Sequence, residues 1–74
     1  MRNRKNNITP EVGEEYENMD ARTSARVRIL SVVAGSYACV QNVVTNRKGR
    51  ISVYSFYSEA ASLSSGYRRV SVPQ

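Results

Sequence analysis

The chain has 74 residues, with 11 Lys or Arg, 6 Asp or Glu, five Tyr, one Cys, no Trp and no His. That length allows one domain with a thin core, and the missing histidine and single cysteine exclude an imidazole base, an all-thiolate zinc site and an intrachain disulfide. The net charge is +5, but from residue 21 onward eight basic residues stand against one acid, Glu59, so the body of the chain suits a polyanion or an acidic protein face.

Residues 1–10 (MRNRKNNITP) are polar, carry Arg2, Arg4 and Lys5, and end at Pro10; they read as a flexible basic arm ahead of a domain over 11–74. No apolar run is long enough to span a membrane and no signal-peptide core follows the basic start, so the expected location is a cytoplasm. Residues 11–20 hold Glu11, Glu14, Glu15, Glu17 and Asp20 and no base. A first strand is expected over 12–18, with Tyr16 as its large inward side chain, then a loop over 20–25.

Residues 26–33 (RVRILSVV) are strongly β-forming. Val27 and Ile29 share one face while Leu30 and Val32 share the other, so a bulge or sharp bend is expected near Leu30 and Ser31. Ala34 and Gly35 signal a tight turn, and 36–44 is the next strand, carrying Cys39 as a reduced, partly buried thiol. The loop TNRKG follows at 45–49, where Gly49 suits a positive φ. In the run 50–57 (RISVYSFY), Ile51 and Val53 face one way and Tyr54 the other; Phe56 reaches the core only through a twist or bulge. Residues 58–65 fit one helical turn, Gly66 ends it, and 67–72 is the last strand before Pro73.

This order predicts an all-β fold: a small five-stranded barrel with one short helical turn before the last strand, which pairs with the first and so closes the edges. The expected core is Val12, Tyr16, Val27, Ile29, Val32, Ala38, Val40, Ile51, Val53, Phe56, Leu63 and Val70. The Gly-x-x-Tyr opening from Gly13 to Tyr16, the basic second strand and the late helical turn resemble SH3-like small barrels of the KOW, Tudor or Sm-like kind, over about residues 12–72. The chain also resembles the very small proteins common in bacteriophage and bacterial genomes, which for a phage protein implies the host cytoplasm. The lack of Trp departs from an SH3 proline-peptide site, and a Tudor-type cage would draw on Tyr37, Tyr54 and Tyr57.

The chemistry argues against an enzyme. Gly35, Gly49 and Gly66 each stand alone at turns, so there is no phosphate-binding loop, and Cys39 has no base to activate it. No metal or cofactor is expected. The binding residues expected from alternation and charge are Arg26, Arg28, Tyr37, Arg47, Lys48, Arg50, Tyr54, Arg68 and Arg69. They suit a small non-enzymatic adaptor or regulatory protein that binds a host or cellular protein machine through a basic, tyrosine-containing surface. The alternative is an RNA- or DNA-binding module in which Arg and Lys contact phosphates and Tyr stacks on bases. A homo-oligomer is a third possibility, because the core is thin.

Overall fold

The computed structural model describes residues 7–20, 25–59 and 65–71. They form β1 (Glu15–Asn18), β2 (Arg26–Val33), β3 (Tyr37–Asn42), β4 (Lys48–Ser52), a 3-10 turn (Val53–Ser55), β5 (Phe56–Tyr57) and β6 (Tyr67–Ser71). The protein is all-β. Its strands make one curled, half-barrel sheet in the order β4-β3-β2-β1-β6-β5. As expected, the last strand pairs antiparallel with the first, Glu17 opposite Arg68 and Asn18 opposite Tyr67.

Six strands replace the expected five because the run 50–57 is broken in its middle. Ser52 adopts φ −55° and its Oγ accepts the Tyr54 N–H at 3.2 Å, which starts the 3-10 turn. The turn resets the side-chain phase, so Val53 and Phe56 are both buried although simple alternation would separate them. It also joins the two edge strands of the sheet, β4 and β5, which do not pair with each other. The expected closed barrel is therefore a sheet curled so that its edges are linked through the chain rather than through a hydrogen-bond ladder.

The core consists of Tyr16, Val27, Ile29, Ala38, Val40 and Phe56, with Ile8, Val32, Ile51 and Tyr67 packed against it. The Tyr16 and Phe56 rings meet edge-on at 4.8 Å, and Phe56 lies 5.8 Å from Tyr67, so one ring ties β1, β5 and β6 together. Val12 is not in the core; it is 60% exposed. The Glu14 N–H donates to the Glu11 carbonyl, and Gly13 at φ 94° completes a turn that points Val12 outward and delays β1 to Glu15. Val70 is half-buried, and Leu63 lies outside the described residues.

The bulge expected in β2 is present. Ile29 pairs with Val40 and Ser31 with Cys39, leaving Leu30 without an opposite residue. The β3–β4 loop differs from expectation: Gly49 sits within β4 opposite Val40, and the left-handed residue is Asn46 at φ 64°. Asn42 organises this loop, its Oδ1 accepting the N–H groups of Val44 and Thr45 at 2.8 and 2.9 Å.

Of the basic arm, residues 7–10 lie against the domain. The Ile8 N–H donates to the Phe56 carbonyl at 3.0 Å, the Asn7 side-chain amide reaches the carbonyls of Tyr54 and Phe56, and Pro10 is buried. Arg2, Arg4 and Lys5 lie outside the described residues, as do Arg22, most of the expected helical turn (60–64) and residues 72–74. No helix among the described residues is long and apolar enough to cross a membrane.

Phe56→Ala should lower the unfolding free energy by about 3–5 kcal/mol, whereas Val12→Ala should change it by less than about 0.5 kcal/mol. Urea denaturation of the two variants beside the native chain checks both.

Candidate binding surface

Alternation places the charged side chains of β1, β2 and β4 on the solvent face of the sheet, opposite the core. The nine residues expected to bind a partner fall into three groups, and one of the nine, Arg69, lies on the core face opposite Tyr16. Arg26 and Arg28 belong to an ion-pair cluster on β1 and β2. Glu15 stands directly opposite Arg28, whose Nε and Nη2 donate to the same Glu15 oxygen at 3.1 and 2.7 Å. Arg26 reaches the other Glu15 oxygen at 3.8 Å. Both guanidiniums are about half exposed, but one carboxylate already balances part of their charge.

The second group is at β6. Arg68 stands opposite Glu17 and is engaged rather than free. Arg69 is held on two sides: Nη1 donates to Glu14 at 2.8 Å and Nη2 to Glu59 at 2.7 Å. Glu14 is the one buried charged side chain among the described residues, only 2% exposed. Its Oε1 also accepts the Tyr16 hydroxyl and the Glu11 N–H, each at 2.8 Å, so both carboxylate oxygens are satisfied. Pulling Arg69 away to meet a partner would leave this buried carboxylate without its counter-charge, at a cost of about 3–5 kcal/mol. Arg69 thus belongs to the fold's framework.

The third group is the cluster around β4. Arg47, Lys48 and Arg50 are exposed and make no ion pair among the described residues. The Arg50 guanidinium lies over the Tyr37 ring, 5.3 Å from its centre, which holds the cation at a fixed place on the sheet. The contact follows from register: Arg50 is opposite Cys39 and Ser52 is opposite Tyr37, so Arg50 and Tyr37 are diagonal neighbours. Tyr54 follows on the 3-10 turn, 47% exposed. Five of the nine residues are thus collected along one edge of the sheet: Tyr37, Arg47, Lys48, Arg50 and Tyr54.

The acids that neutralise the other arginines were not among the nine residues expected to bind a partner. Glu15 lies 13 positions before Arg28, and Glu14 lies 55 before Arg69, so no local motif announces either pair. Cys39, half-buried beneath Arg50, shares the same face. Comparison with protein-family models, curated proteins and solved structures finds no match to the chain.

Two titrations follow from the buried network. Burial, and then the hydrogen bond to Glu14, hold the Tyr16 hydroxyl far above the ordinary tyrosine range. Hydrogen bonds from Arg69 hold the Glu59 carboxyl below its usual value, so its contribution is present above the usual carboxylate range and fades as pH falls through the folded value. For Tyr16 the sign is opposite. The folded value exceeds the unfolded one, so the stabilisation is complete below about pH 10 and declines above it. The stability advantage of the native chain over Tyr16→Phe should therefore shrink by about 1.4 kcal/mol between about pH 8 and about pH 11, measured by urea unfolding at both.

Proposed function

We propose that this protein is a small non-enzymatic adaptor that binds an acidic face of a protein partner through the β4 edge, with Tyr37 and Tyr54 beside the cations. The observation that carries this reading is the partition of the arginines. Arg26, Arg28 and Arg69 are already matched by Glu15, Glu14 and Glu59, while Arg47, Lys48 and Arg50 have no acidic partner among the described residues. A broad cationic track for a nucleic-acid backbone would leave the β2 and β6 arginines available as well. A compact cationic edge beside aromatic rings instead fits a local acidic patch, where charge guides encounter and buried aromatics anchor. The order of a basic antiparallel meander, a 3-10 turn and a last strand returning to the first supports the SH3-like resemblance, whose small barrels serve widely as adaptors. A cytoplasm, that of a host for a phage protein, is the setting this reading carries.

One observation favours RNA or DNA as the second reading: Tyr54, 47% exposed, sits on the 3-10 turn that directly follows the cationic β4, where an aromatic ring can meet a base. Fluorescence anisotropy against a labelled acidic peptide and a labelled single-stranded oligonucleotide, at about 0.15 M salt, separates the two. Replacing Arg47, Lys48 and Arg50 together by Gln should weaken binding of the acidic peptide about tenfold or more. The charge-neutral double change Glu15→Gln with Arg28→Gln should alter it less than about twofold. Tight oligonucleotide binding with none to the acidic peptide would overturn the protein-binding reading.

A further inference from the structure

The two edges of the sheet are treated differently. Along β5, Asn7 bridges Tyr57 and Ile8 donates to the Phe56 carbonyl, so the chain itself covers that edge. β4 has β3 on one side and no strand among the described residues on the other. The phase of the β3–β4 ladder is set at both ends: Asn42 N–H donates to Arg47 at 2.8 Å, and Val53 N–H donates to the Ser36 carbonyl at 3.1 Å. Because bonded and non-bonded pairs alternate, Gly49 and Ile51 turn both backbone groups to β3, and the Arg47 carbonyl and the Val53 N–H do so at the two ends of the ladder. The N–H and C=O of Lys48 and Arg50, and the N–H of Ser52, therefore point away from the sheet.

Side chains decide what can complete this ladder. A β4 strand from a second copy would set Lys48 and Arg50 against like charges, which disfavours edge-to-edge pairing of the chain with itself. An acidic strand would place carboxylates at alternate positions beside the same two cations. On the opposite face the guest would meet Gly49, where even an added Cβ finds nothing within 4 Å, and half-buried Ile51. That face has room for an apolar side chain lying at the border of the core.

We propose that β4 accepts an acidic extended peptide segment as an added strand, with carboxylates at alternate positions and an apolar residue between them. The proposal rests on the protein-binding reading above and names its mode: main-chain bonds to Lys48, Arg50 and Ser52 supply affinity, and the alternating acids supply choice.

The test is a titration of the full chain with a synthetic peptide alternating Glu and Val, followed by amide exchange and chemical shifts. Strand addition predicts slower exchange at the Lys48, Arg50 and Ser52 amides. It also predicts a loss of about tenfold or more in affinity when the peptide is N-methylated at the positions facing β4, a change that leaves the protein untouched. Ser52→Pro suits the φ of −55° and removes only the outward N–H and the hydroxyl, whereas Ser52→Ala removes the hydroxyl alone. Binding by Ser52→Pro about fivefold weaker than by Ser52→Ala, which shares the loss of the hydroxyl, supports the proposal. Equal binding of the methylated peptide, with no amide protection, overturns strand addition while leaving a basic surface that holds acidic peptides. No binding of the peptide, with tight binding of an oligonucleotide, overturns both.

Discussion

A carboxylate taken out of water must be matched on every side, and in this protein that carboxylate is Glu14. Its two oxygens accept the Tyr16 hydroxyl, the Glu11 N–H and the Arg69 guanidinium. Each bond fixes something different. The Glu11 bond closes the turn that precedes β1, the Tyr16 bond orients the largest ring of the core, and the Arg69 bond fastens β6 beside β1. Remove the charge match and the buried group is strongly unfavourable; keep it and the sheet's central pairing has a chemical reason as well as an apolar one. The same bond engages a basic residue of the last strand within the fold itself.

The second constraint is Phe56. It can be buried only because three residues before it leave the strand conformation, and those three residues carry the chain from one edge of the sheet to the other. A continuous strand over 50–57 would put Phe56 in solvent with Tyr54. The 3-10 turn thus sets both the filling of the core and the curl of the sheet. It leaves β4 as a five-residue edge with its cations outward and gives β5 to the N-terminal segment for cover.

Some of this was legible in the residues. The β2 boundaries follow from eight consecutive strand-forming residues, and the phase conflict between Ile29 and Val32 announced the bulge at Leu30. Most of the core is visible through alternation on β2 and β3. Val12 misled because its strand-like identity is overridden by a turn closed through the Glu14 side chain. The 3-10 turn was hidden because Val, Tyr and Ser all suit a strand, and its cause is a single side-chain bond from Ser52. Arginine count and alternation singled out nine basic and aromatic positions. Which of them are neutralised depends on acids brought close only by tertiary pairing, and no spacing along the chain reveals that.

The pairing of β1 with β6 has a kinetic side. β2, β3 and β4 form a meander whose contacts are close in sequence, so they can assemble early and by short loop closures. β1 finds one partner nearby in β2 and the other about fifty residues on, and Asn7 meets Phe56 across a similar distance. Until those distant segments arrive, β1 has an open edge and Glu14 lacks its arginine. Closing those distant pairs carries the largest loop entropy in the fold, a topology that goes with slower folding than a local meander of the same size. In a crowded cell that interval, more than the finished fold, is when the molecule is most open to mispairing.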